Sequence, residues 1–165
     1  MTSTLVILRH AKTERSEDMV DIDRSLTERG HADAGAAGAW LSAHGYGPEL
    51  VVCSPARRTR QTWHGLAIGM NRTEAPEVRY EPVVYGGDAE DVLDLLRSVP
   101  DGFGTVLLIG HNPTLSMLSA ALDPEAARDS DGLSTCGLAV HEVPGPWADL
   151  RPGGGRLIAS HTARA

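Results

Sequence analysis

The chain has 165 residues, 41% of them hydrophobic, which suits one globular domain, 1–165, with a sizeable core. Its formal net charge of −7 argues against a general nucleic-acid-binding surface, because such a surface needs clustered positive charge. The chain does not open with a basic segment and an apolar stretch, and no apolar run approaches the about 18 residues of a membrane span, so we expect a cytoplasmic protein without membrane contact.

The first predicted element is a strand over residues 5–8, an unbroken apolar run that stops at Arg9 and His10. Residues 11–25 follow it and are polar without periodicity, so they predict a long loop of the kind that carries functional residues. A single histidine at a strand end usually marks only the point where a chain becomes polar. This feature therefore needs support from elsewhere in the sequence.

A helix is predicted after this loop, with Ser25 or Thr27 as its cap and Gly45 at its end. Small and apolar residues repeat along its inner face with helical spacing, at Ala34, Ala37 and Leu41. A strand at 49–53 and a helix over 56–68 are predicted next.

Residues 77–81 are predicted to be extended, and residues 82–87, which contain proline and glycine, are predicted to form a loop. Asp88 is a suitable N-cap for a helix whose apolar residues repeat with helical spacing until Pro100. The remaining predicted elements are a strand at 105–110, a helix at 114–122, and strands near 135–143 and 156–161.

This alternation of strands and helices predicts an α/β fold, a three-layer α/β/α sandwich with a mainly parallel central sheet. The last two predicted strands have no helix between them, whereas a parallel crossover usually contains one. We therefore expect an antiparallel edge strand at the end of the chain.

Charged side chains follow three of these predicted strands. Histidine comes directly after the first strand and after the strand at 105–110, at His10 and His111. The strand at 49–53 is followed closely by Arg57, Arg58 and Arg60. If these strands are parallel, their carboxyl ends meet at one edge of the sheet, where α/β proteins bind ligands. A local group of cations in a negatively charged chain suits a small anionic ligand.

Three segments carry a family resemblance: LVILRHAKT at residues 5–13, SPARRTRQT at 54–62 and GHNPT at 110–114. In this order they resemble the three signatures of the histidine phosphatase superfamily, which has the phosphoglycerate-mutase-like fold. The short chain and the segment DIDRSLTERG at 21–30 resemble its SixA-type phosphohistidine phosphatase branch. The resemblance covers residues 4 to about 123 and implies the same three-layer architecture.

The resemblance implies a role for four residues. His10 would be the nucleophile that attacks phosphorus and forms a covalent phosphohistidine intermediate, which water then hydrolyses. Arg9, Arg58 and His111 would bind the phosphoryl group. Two guanidinium groups and an imidazole suit that task, because a phosphoryl group spreads its negative charge over three oxygens. For His10 to attack, its imidazole must be neutral, with the other ring nitrogen held by a hydrogen bond.

Arg58 is chosen over its neighbours because the family's arginine stands four residues after the motif serine and three before the glutamine. The roles of Arg57 and Arg60 stay open. The general acid that would protonate a leaving group also stays unassigned, since Glu81 and Asp88 bracket the relevant loop without matching the family's pattern. The seven histidines show no metal-ligand spacing, so a metal-independent hydrolase without a cofactor is expected.

The missing acid suits a phosphohistidine substrate, because a leaving imidazole needs less protonation than an alkoxide. The expected partner is therefore a phosphorylated signalling protein of the histidine-containing phosphotransfer type. A small-molecule phosphomonoesterase that acts on a small phosphate ester is the first alternative. A non-catalytic phosphate-binding module is the second, although it would not need His10.

Overall fold

A mixed β-sheet of six strands lies at the centre of the structure, a computed structural model that describes residues 1–15, 17–128 and 130–165. The strands are β1 (Thr2–Arg9), β2 (Leu50–Cys53), β3 (Glu77–Tyr80), β4 (Thr105–Gly110), β5 (Gly137–Pro144) and β6 (Arg156–Thr162). They lie in the order β3-β2-β4-β1-β5-β6. Strands β1 to β4 are parallel, while β5 runs antiparallel to both β1 and β6. The predicted parallel sheet with antiparallel pairing at one edge is confirmed.

Helices cover both faces of this sheet. They are α1 (Glu28–Ala43), α2 (Arg57–Met70), α3 (Pro82–Gly86), α4 (Ala89–Arg97) and α5 (Thr114–Leu122), with short 3₁₀ helices at Asp21–Asp23 and Trp147–Asp149. Leu5 and Ile7 of β1 belong to the core beneath α4 and α5, and Val6 and Leu8 belong to the core beneath α1 and α2. Alternate side chains of one strand thus fill two cores. The three-layer sandwich is confirmed, and no helix in the described part has both the length and the apolarity needed to cross a lipid bilayer.

The prediction of a loop at residues 82–87 was wrong, because Pro82–Gly86 forms the short helix α3. Pro82 stands in its first turn, where the fixed φ of proline suits a helix and its missing N–H is not needed. Val84 is 3% exposed and packs into the core, so burial rather than local propensity decides the structure here. The predicted loop at 11–25 likewise contains the 3₁₀ helix Asp21–Asp23.

The cap of α1, which the sequence left open between two residues, is Thr27. Its hydroxyl oxygen accepts the backbone N–H of Gly30 at 2.9 Å. The backbone N–H of Thr27 donates to the carbonyl of Lys12 at 2.9 Å. The start of α1 is therefore tied to the loop that follows β1.

Parallel pairing brings three strand ends to one edge of the sheet. Arg9 of β1 lies opposite Gly110 of β4, and Cys53 of β2 lies opposite Ile109. The backbone N–H of His10 donates to the carbonyl of Gly110 at 3.1 Å, one residue beyond β1. The segments that follow β1, β2 and β4 therefore begin side by side, as the sequence predicted.

Helices α1 and α2 approach each other closely through glycines. A Cβ atom on Gly38 would overlap the carbonyl oxygen of Leu66, and one on Gly69 would overlap the carbonyl oxygen of Gly35. Such contacts require residues without a side chain, because helix backbones otherwise stay further apart. This packing holds α2, which carries Arg58, against α1.

We expect Gly38→Ala to lower the free energy of unfolding by about 1–3 kcal/mol, because the added methyl group forces the helices apart. Gly35→Ala is the matched control on the same helix, since a Cβ there has no atom within 4 Å. This control should raise the free energy of unfolding by up to about 1 kcal/mol, through the better helix propensity of alanine. Urea unfolding of both variants measures the difference, and equal values would contradict the close packing.

Candidate active site

A cavity of about 770 Å³ opens at this edge of the sheet. It brings together all four residues that the sequence singled out, Arg9, His10, Arg58 and His111. They come from positions up to about a hundred residues apart, and only the sheet register makes them neighbours. A second cavity of about 550 Å³, lined by parts of α5, β5 and β6, contains none of the four.

His10 is 6% exposed, and one of its ring nitrogens is held in place. Nδ1 lies 2.8 Å from the carbonyl oxygen of Ala11. Because a carbonyl only accepts, Nδ1 carries the proton of the neutral ring and Nε2 keeps its lone pair. The sequence-based expectation of a fixed tautomer thus has a structural basis in the backbone of the next residue.

The surroundings of His10 keep its ring neutral. Burial, followed by the positive charges of Arg58 and Arg9, lowers its pKa from 6.5 to about 4, against the opposing effect of the Ala11 carbonyl. At pH 7 the imidazole is therefore uncharged. A neutral ring with a free lone pair on Nε2 is the form that a nucleophilic histidine needs.

His111 lies beside His10, with 5.4 Å between the ring centroids. Its Nε2 is 2.8 Å from Oγ of Ser54, a motif residue for which the sequence suggested no role. Burial, followed by the charge of Arg58, lowers the pKa of His111 to about 3. At neutral pH this ring is uncharged as well, so it contributes a hydrogen bond rather than a charge.

The two arginines are each held by oxygen atoms at their outer nitrogens. Nη1 of Arg9 donates to the carbonyl of Leu133 at 3.1 Å. Nη1 and Nη2 of Arg58 donate to the carbonyl and to Oδ2 of Asp21, at 2.8 and 3.0 Å. In both guanidinium groups these contacts leave Nε without a partner.

Three buried side-chain nitrogens have no hydrogen-bond partner within the described ranges: Nε of Arg9, Nε of Arg58 and Nδ1 of His111. Buried polar atoms are almost always hydrogen-bonded, since an unpaired one loses its contact with water and gains nothing in return. All three atoms belong to residues that line the same cavity. The unpaired atoms are therefore concentrated in residues of one site.

Sequence reasoning missed Asp21 and Tyr85 as parts of this site. Oδ2 of Asp21 accepts from Nη2 of Arg58 and from the hydroxyl of Tyr85 at 2.8 Å, and Oδ1 accepts from Nε of Arg24 at 3.0 Å. Desolvation raises the pKa of Asp21, but the bonds from Tyr85 and Arg58 outweigh it and lower the pKa to about 2. The ring of Tyr85 also packs edge-on against His111, with 5.5 Å between the centroids.

The residues whose roles the sequence left open do not line this cavity. Asp88 caps α4, where its carboxylate accepts the backbone N–H of Asp91. Glu81 stands at the N-terminus of α3 without capping it through its side chain. Arg57 and Arg60 are exposed at the start of α2. Within the described ranges, no group of three or more His, Cys, Asp or Glu side chains is arranged to hold a metal ion.

Comparison with known proteins agrees with the geometry. Residues 5–81 match the family model of the histidine phosphatase superfamily (branch 1). The chain is 37% identical over 164 residues to an uncharacterized protein of Mycobacterium tuberculosis. The alignment covers 95% of this chain and 100% of the mycobacterial protein.

Two solved structures extend the comparison over the whole fold. A protein assigned as the phosphohistidine phosphatase SixA of Nakamurella multipartitia superposes with a TM-score of 0.87 and is 33% identical in sequence. The superposition covers 100% of this chain and 98% of the Nakamurella chain. Its counterpart from Agrobacterium tumefaciens superposes with a TM-score of 0.78, at 27% identity and over 96% and 97% of the two chains. The chain belongs to the histidine phosphatase superfamily.

The state of His10 can be observed by NMR. We expect its imidazole signals to report a proton on Nδ1 at pH 7 and to titrate near pH 4. In the urea-unfolded chain the same ring should titrate near its ordinary value of about 6.5. Between these two values the unfolded chain binds more protons, so the folded protein loses stability as the pH falls from about 6.5 towards 4. The His10→Gln variant identifies the signals, and titration of the folded protein near 6.5 would contradict the buried, neutral ring.

Proposed function

We propose that this protein is a phosphatase in which Nε2 of His10 attacks the phosphorus of its substrate. The bond from phosphorus to the leaving group breaks as the bond to Nε2 forms, and water then hydrolyses the covalent phosphohistidine intermediate. Membership of the histidine phosphatase superfamily supports this proposal. So does the hydrogen bond of Nδ1 to Ala11, which leaves the Nε2 lone pair free.

The three unpaired nitrogens of Arg9, Arg58 and His111 carry the proposal, because they suit the oxygens of a transferring phosphoryl group. Each would donate one hydrogen bond, and donors fixed in advance stabilise developing charge without reorganising. For His111 this requires the proton on Nδ1. The hydroxyl of Ser54 supports that tautomer: it accepts the N–H of Ala56 at 3.2 Å and can donate its own proton to Nε2 of His111.

Asp21 has a positioning role in this scheme rather than an acid's role. With a pKa of about 2 it is ionised at neutral pH and has no proton to give to a leaving group. Its carboxylate and backbone carbonyl instead occupy both outer nitrogens of Arg58. This fixes the plane of the guanidinium group and leaves Nε for the phosphoryl oxygen.

The carboxylates at the cavity support phosphohistidine as the substrate. Among the described residues two carboxylates line the cavity, Asp21 and Asp33, and both are in contact with arginine. An alkoxide leaving group would need a strong acid nearby, whereas an imidazole leaves readily. We therefore propose that a phosphorylated protein of the histidine-containing phosphotransfer type is the substrate, and that hydrolysis needs no metal ion. A small phosphate ester is the alternative substrate.

The covalent intermediate can be trapped with a phosphohistidine protein that carries radioactive phosphate. We expect acid-labile, alkali-stable label on the wild-type protein and on His64→Ala, whose exposed histidine lies on α2 away from the cavity. His10→Ala should take up no label. Label that persists in His10→Ala would remove His10 from its proposed role. Faster labelling from sugar phosphates than from the phosphohistidine protein would favour the alternative substrate.

Arg58→Lys tests the phosphate cradle, by which we mean Arg9, Arg58 and His111. Lysine has a single nitrogen, so it cannot bind both acceptor oxygens of Asp21 and present a further nitrogen to the ligand as Arg58 does. We expect kcat/KM to fall roughly 100-fold, the usual effect of losing one donor to the transition state. Arg60→Lys is the matched control, since Arg60 is exposed on the same helix and does not line the cavity. Similar values of kcat/KM for both variants would contradict the role of Arg58.

A further inference from the structure

Positive charge around the cavity exceeds what the phosphoryl group needs. Besides the arginines of the cradle, five cationic residues line the cavity wall: Lys12, Arg15, Arg24, Arg29 and Arg164. The carboxylates that line the cavity, counted over the residues that the structure describes, are two, Asp21 and Asp33. The chain as a whole carries a net charge of −7, so this concentration of cations is a local property of the cavity.

Among the described residues, three of these cations are not paired with a carboxylate. Arg24 pairs with Asp21 at 3.0 Å, and Arg164 lies 3.7 Å from Asp33. In the described part of the chain, no carboxylate lies within 4.0 Å of the charged groups of the other three, Lys12, Arg15 and Arg29. Arg9 and Arg58 already balance the charge of roughly −2 on a phosphoryl group. The remaining three cations have no partner in the proposed reaction.

The backbone brings two of these cations to the same side of the cavity. The carbonyl of Lys12 accepts the N–H of Thr27, the cap of α1, and Gly30 packs directly against it. Arg29 therefore stands in the first turn of α1, next to the segment that carries Lys12. A helix dipole disfavours a cation at this position, so local stability does not explain the choice of arginine.

We propose that Lys12, Arg15 and Arg29 form a second anion-binding subsite, which holds a negatively charged group of the substrate other than the phosphoryl group. The proposal rests on the proposed phosphatase function and narrows its substrate class. All three side chains are exposed, and they come from two segments along an open cavity. This arrangement suits carboxylates spread over a protein surface, so we infer that acidic side chains flank the phosphorylated histidine of the substrate protein.

The test compares two phosphohistidine peptides that differ only in the residues next to the histidine, acidic in one and the corresponding amides in the other. For the wild-type protein we expect a kcat/KM about tenfold higher for the acidic peptide, the effect of two or three exposed ion pairs. This preference should shrink as salt is added, because salt screens exposed charges. In the triple variant Lys12→Gln, Arg15→Gln, Arg29→Gln the ratio of the two kcat/KM values should fall to about one.

The matched control is Arg57→Gln, Arg60→Gln, Arg151→Gln, which removes the same charge from exposed residues outside the cavity. It should keep the wild-type ratio, and urea unfolding checks that both triple variants are folded. An unchanged ratio in the first variant, or an equal loss in the control, would overturn the subsite.

A third comparison separates protein substrates from small ones. A sugar bisphosphate and the corresponding monophosphate take the place of the peptides. If only this pair shows a preference that the first triple variant loses, the subsite holds a second phosphate and the inference of an acidic protein substrate is overturned.

Phosphoryl transfer to His10 is measured separately in the wild-type protein with p-nitrophenyl phosphate. Failure of that reaction would count against the proposed function, whereas failure of the peptide ratios counts against the subsite alone.

Discussion

The hydrogen bond from Nδ1 of His10 to the carbonyl of Ala11 is the contact on which the proposed chemistry of this site depends. It assigns the proton of the neutral ring to Nδ1 and leaves the lone pair of Nε2 free. It is also local, because donor and acceptor are neighbours in sequence, so the end of β1 alone sets the tautomer. Burial and the charges of three nearby guanidinium groups then lower the pKa of the ring and keep it neutral. The proposed nucleophile is thus prepared before a substrate arrives.

The proposed cradle around His10 carries a cost in stability for the folded protein. Within the described ranges three buried nitrogens, two of them on cationic groups, have no hydrogen-bond partner, and an unpaired buried polar atom destabilises a fold. Asp21 limits this cost by holding both outer nitrogens of Arg58, and the carbonyl of Leu133 holds Nη1 of Arg9. The atoms left unpaired are Nε of both arginines and Nδ1 of His111. Such a pattern is typical of a binding site rather than of a structural ion-pair network.

Much of the fold could be predicted from the sequence, because its buried strands are unbroken apolar runs. The runs that end at His10 and His111 predicted two parallel strands and, through them, the shared edge of the sheet. The contacts of Asp21 with Arg58 and Tyr85 could not be predicted in this way. They join residues 37 and 64 positions apart, and both Asp21 and Tyr85 come from segments that the sequence predicted to be loops. Helix α3 was missed for a similar reason, since the burial of Val84 decides a segment whose proline and glycines suggest a turn.

NMR of the trapped phosphoenzyme shows which ring nitrogen carries the phosphoryl group. If Nε2 of His10 attacks phosphorus, ¹⁵N-labelled histidine shows scalar coupling between phosphorus and Nε2 of His10, with Nδ1 of the same ring still protonated. Coupling of phosphorus to Nδ1 of His10, or to either nitrogen of His111, would rule out this attack.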